Sequence, residues 1–296
     1  MRWALGAASP FAACIGLAVC IGPSMAQQLQ TDQIRIVYEE PKKAAYRPVM
    51  QRLQQRKVLD TLQQFLSPLK LPRPLTVKTG ECGDPFAGYK PGGPVTICYE
   101  FVSLLEKLQP GTEYKYWYIG PMLVTREMAL VGPFVQEALH DVALGVFDML
   151  EIPVWGRAED GADHVAAFLM LQFGTDVARK TVLGTAYFLS QVDYAIRNGA
   201  NLLPYDLAYI GGIRPTVRQR YYNILCMAIG SDATGFAEFM ALNRTATIYD
   251  VPLDRYCLGG GEYGQVKEAF VKTILDPYVD PELLKKVKAT PWLKDD

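Results

Sequence analysis

Residues 137–148 read Glu-Ala-Leu-His-Asp-Val-Ala-Leu-Gly-Val-Phe-Asp. At about 100° per residue, Glu137, His140, Asp141 and Asp148 fall in one stripe of an otherwise apolar helix, with Leu144 in the middle of it. A single polar stripe on such a helix is where a His-Glu-x-x-His motif sits. Histidines four residues apart hold one metal, and the Glu between them activates water. Here the string is His140-Asp141-Val142-Ala143-Leu144. The first His is kept, the carboxylate is the shorter Asp141, and Leu144 has no lone pair to give a metal.

The next helical pattern opens with Arg157-Ala158-Glu159-Asp160-Gly161-Ala162-Asp163, which places Glu159 and Asp163 four apart on one face. In the gluzincin arrangement a Glu on the helix after the motif completes the zinc site, and an Asp one turn later hydrogen-bonds the first His. Glu159 and Asp163 have those types and that spacing. The chain's other histidine, His164, is five residues from Glu159 and so about 140° around the helix, which keeps one ion from facing both. His164 therefore reads as a packing or surface residue, and His140 as a buried imidazole hydrogen-bonded to Asp163.

Helical periodicity predicts helices near 132–150, 158–174, 177–197, 216–229 and 262–275, then a short terminal helix. Before Gly120-Pro121 the pattern is mixed. Residues 34–39 alternate like a strand, Val49–Leu66 carries helical spacing, and 75–78 and 95–99 read as strands. The expectation is an α+β fold in which a small N-terminal antiparallel sheet packs on a mostly helical body. It comprises a strand-rich part, 27–120, and a helical part, 121–296, of one domain. The Tyr114-Lys115-Tyr116-Trp117-Tyr118 stretch could be a ligand platform, although aromatics at strand alternation belong more often to a core.

Arg2, the apolar run 11–22 and Ser24-Met25-Ala26 make residues 1–26 a cleavable signal peptide, since twelve apolar residues are too few to span a bilayer. Four of the six cysteines then remain, and an even count in an exported chain points to disulfides. Cys82 and Cys98 bracket a Gly/Pro-rich stretch and suggest a hairpin clipped across its ends, leaving Cys226 to Cys257; closure entropy favours these local loops, while the spacings alone leave the pairing open. With 30 basic against 31 acidic residues, and no basic block, nucleic acid is not an expected partner. The expected location is the periplasm or beyond.

Ordered strings extend the match past the motif. They are Leu71-Pro72-Arg73-Pro74-Leu75, Glu81-Cys82-Gly83 with Cys98-Tyr99-Glu100, and the run at 150–154. Gly156-Arg157 with Glu159, Asp160, Ala162 and Asp163 follows, then Gln219-Arg220-Tyr221-Tyr222-Asn223 with Cys226, Gly230-Ser231-Asp232, and Cys257 with Glu262-Tyr263. Over most of its length the chain resembles a family of exported bacterial proteins of uncharacterised function with a zincin-type metallopeptidase motif. The resemblance implies a zincin-like fold of the thermolysin clan, a zinc cofactor and both cysteine pairs oxidised. It makes Asp141 the base position, His140 and Glu159 the metal ligands and Asp163 the group that orients His140. This chain departs from the pattern at Asp141, at Leu144 and at Gly211-Gly212-Ile213-Arg214-Pro215, where relatives carry a further His. The expected function is that of a degenerate relative, a pseudopeptidase or peptide-binding protein without zinc. An active zinc peptidase with an atypical site and a structural cell-envelope protein are the alternatives.

Overall fold

The computed structural model describes residues 33–85, 88–108, 117–119, 122–199, 215–241, 257 and 261–290. The expected leader at 1–26, the segment 211–214 and Tyr114 to Tyr116 lie outside them. The fold is α+β, with a small sheet at the N-terminal side and a helical body after it.

The sheet holds β1 (Ile34–Tyr38), β2 (Leu75–Gly80) and β3 (Val95–Cys98) in the order β1-β2-β3, and all of its pairs are parallel. The antiparallel expectation is therefore wrong. A hairpin needs a tight turn, whereas the 81–94 connection is long enough to carry the chain back to the starting end of the sheet, which parallel pairing requires. The β1-to-β2 crossover carries α1 (Arg47–Gln55) and α2 (Val58–Leu66). One helix over Val49–Leu66 was expected. The chain instead breaks at Lys57, which takes a left-handed φ of 49°. On one straight helix Val49 and Leu53 would face about 80–140° away from Leu59 and Leu66, and the break turns both sets inward. Tyr38 ties the layers together, its hydroxyl accepting from the Leu59 amide at 2.9 Å.

After α3 (Tyr99–Leu108), a short antiparallel pair, β4 (Trp117–Ile119) with β5 (Met122–Val124), leads into the body. The body comprises α4 (Arg126–Met149), α5 (Ala158–Met170), α6 (Thr175–Arg197) and α7 (Val217–Ser231). It ends with α8 (Gly261–Phe270), a π-helical turn at Val271–Leu275 and α9 (Pro281–Ala289). Thr125 caps α4 by accepting from the Met128 amide. Helix α4 is the centre of the molecule. It packs most extensively on α6 and α5, and Leu75 of β2 lies against its Gly145. Gly132 and Gly184 let the α4 and α6 backbones meet, since a Cβ at either would overlap the other helix's main chain.

Both expected disulfides are present. Cys82–Cys98 ties the C-terminal ends of two neighbouring parallel strands rather than the mouth of a hairpin, and Cys226–Cys257 ties α7 to the segment before α8. Among the described residues no helix is long and apolar enough to cross a membrane.

Candidate functional site

The motif stripe of α4 faces α5 and α7. His140 is fully buried, and its Nδ1 lies 2.8 Å from Asp163 Oδ1 while its Nε2 lies 2.8 Å from Glu159 Oε2. The four-residue spacing on α5 aims both carboxylates at one ring. Both ring nitrogens can donate at once only when the imidazole carries both protons.

Behind this pair stands Arg220, one turn into α7, whose start is set by Thr216 accepting from the Gln219 amide. Its Nε donates to Asp163 Oδ2 at 2.9 Å, and its Nη2 donates to Asp163 Oδ1 at 2.8 Å, to Gln136 Oε1 at 3.0 Å and to Glu137 Oε2 at 3.1 Å. The Gln136 amide donates in turn to Asp163 Oδ1 at 2.8 Å. Asp163 on α5 is thus held from two other helices, α4 and α7. Burial by itself would push its carboxyl up, but Arg220 and then His140 keep it far below the usual carboxylate range. Burial likewise works against the Arg220 charge, and Asp163 and Glu137 more than offset it.

Sequence reasoning quoted Arg220 only within a longer string and assigned it no role. A signal was there, because an arginine directly before Tyr-Tyr-Asn-Ile-Leu-Cys lies on a helix too apolar to leave it unpaired. Beside the network, Asp163, Arg220, Gln136 and Asn223 line a cavity of about 10 Å³, room for one water molecule.

The other candidates are placed elsewhere. His164 turns away from His140: its Nδ1 lies 2.6 Å from the Asp160 carbonyl and its Nε2 2.6 Å from Glu262 Oε1 on α8. Burial opposes the protonated ring, yet the Glu262 contact raises the pKa of His164 above the ordinary histidine value. Asp141 is buried on the other margin of the stripe, under the backbone of Gly88. Leu144 is half-buried and packs with the core.

These residues do not fit a catalytic zinc, which takes three protein ligands and an open position. His140 and Glu159 are in direct contact, leaving no space for an ion between them, and Leu144 offers no donor. Among the described residues no group of three or more His, Cys, Asp or Glu side chains is arranged to hold a metal ion.

No curated protein and no solved structure matches the chain. Residues 38–272 match the model of a protein family described as “Putative metallopeptidase”. The match takes in both disulfides, the whole of α4 and α5, and Arg220. It covers well over half of the 296 residues, and the chain belongs to this family.

Proposed function

We propose that this chain is a catalytically degenerate member of its family, a pseudopeptidase in which residues 27–296 keep the fold of a peptidase while its motif helix serves as a polar core. The observation that carries this reading is the direct contact of His140 Nε2 with Glu159 beside Leu144. The two surviving ligand positions satisfy each other, and the third has become a hydrocarbon. Asp141 holds the position of the base, but no metal-activated water follows from this donor set. With hydrolysis gone, the remaining function is binding of a peptide or protein. The leader and the two disulfides support an exported chain working in an oxidising compartment.

The test is elemental analysis of the purified, oxidised protein after incubation with zinc and desalting, beside His140→Ala. The expected result is far less than one zinc per chain in both. Stoichiometric zinc that vanishes in His140→Ala, together with peptide hydrolysis, would establish instead an active peptidase with an atypical site.

A further inference from the structure

The connection from β2 to β3 does more than join strands, because its second half lies along α4. Gly88 sits so close to Asp141 that a Cβ there would overlap the carboxylate. One turn on, the Tyr89 ring packs 3.4 Å from where a Gly145 side chain would begin. At the next turn Asp148 Oδ2 accepts the Tyr89 hydroxyl at 2.5 Å and the Gly92 amide at 3.0 Å. Asp141, Gly145 and Asp148 are spaced as neighbours on one helical face, so the segment follows a single stripe outward from the base position.

The geometry is written into the chain. Lys90-Pro91-Gly92-Gly93 closes a turn through the Gly93 amide and the Lys90 carbonyl at 2.9 Å, with Gly92 at φ 75°. Proline then glycine at the two central positions is what a type II turn prefers, and this turn aims the Gly92 amide at Asp148. At the far end, Cys82–Cys98 and the Glu100 carboxylate, which accepts from the Cys82 and Gly83 amides at 3.1 Å each, hold the root of the connection.

We propose that residues 88–92 are an internal strap docked on the Asp141–Gly145–Asp148 stripe, latched at Asp148, which closes the base side of the motif helix. This rests on the reading of α4 as the inherited motif helix and assigns that site its occupant: the chain's own backbone, taking the face on which another polypeptide would otherwise reach Asp141. Glycine at 88 is required by the contact with Asp141. The latch is a single half-exposed carboxylate, so the strap can come off without unfolding the core.

The test is carbodiimide-driven amidation of carboxylates in the full chain, mapped by mass spectrometry, with amide hydrogen exchange at 88–92. In the wild type Asp141 is protected. In Asp148→Ala, which removes the latch, and in Gly88→Val, which forces the strap outward, Asp141 becomes labelled and exchange at 88–92 rises by about tenfold or more, while Asp163 stays protected. Labelling of Asp141 in the wild type, or protection that persists in both variants, would overturn the strap. Zinc content does not enter either readout, so the strap and the pseudopeptidase reading can fail separately.

Discussion

Helix α4 has two polar margins that solve opposite problems. On one, Gln136, Glu137 and His140 meet Asp163, Glu159 and Arg220 in the interior, where charge is costly unless every group is paired. On the other, Asp141 and Asp148 meet a glycine-bearing strap from another layer, held by contacts near the surface. Leu144 lies between them, four residues after His140, where the proposed degenerate motif lacks its second ligand. The contrast shows two ways for one helix to bury polar groups: one side is locked by mutual charge compensation, the other is covered by the chain itself.

Arg220 should separate the two margins most sharply. Arg220→Leu strands Asp163 and Glu137 in the interior and should cost about 3–5 kcal/mol in denaturant unfolding. A loss below about 1 kcal/mol would mean that the interior margin is not held by charge pairing.

Next in size is the acid limb of stability. Asp163 has a strongly depressed pKa in the folded state, so its stabilising effect is complete above the ordinary carboxylate value, about 3.9, and drains away as pH falls below it. Asp163→Asn should be less stable at neutral pH and show a shallower decline from pH 5 to pH 2 in a thermal melt series. Parallel curves for the two proteins would contradict the coupling.

His164 gives a smaller effect of opposite sign. Its pKa is raised in the folded state, so its contribution is complete below about 6.5 and is lost as pH rises through the raised value. The pair joins α5 to α8 near the surface, so Glu262→Gln should remove less than about 1 kcal/mol at pH 6 and almost nothing at pH 9. Equal losses at both pH values would place its role in packing.

Smallest in stability is the strap latch. Asp148→Ala should lower the melting temperature by only a degree or two, because water replaces both hydrogen bonds at an exposed carboxylate and the net loss is about 0.5 kcal/mol in all. A much larger drop would make the strap part of the core.

The helical body was legible because its periodicity is local. The turns after Leu150 and Asn198 and the Thr216 cap are marked by residues within a few positions, and the helices lie where the apolar spacing places them. The disulfide pairs followed the shortest loops. Strand direction did not follow, since alternation in residues 75–78 and 95–99 is the same for parallel and antiparallel neighbours and only the course of 81–94 decides it. The Lys57 break hid inside a continuous helical pattern because its cause is the position of the core, not a helix-breaking residue. At the candidate site, motif spacing put His140 beside Glu159 and Asp163, and the three are in contact. Arg220, eighty residues from His140 in the chain, and the contact of Gly88 with Asp141 are products of tertiary packing that no window of sequence contains.

On the proposed reading the metal's place was lost at Leu144 while His140, Glu159 and Asp163 around it were kept. Titration calorimetry with zinc on the wild type and on Leu144→His tests it, because a histidine there shares a helical face with His140, the partner of Glu159. The prediction is no stoichiometric binding to the wild type and close to one zinc per chain in Leu144→His. One zinc bound tightly by the wild type, with the variant no better, would contradict it.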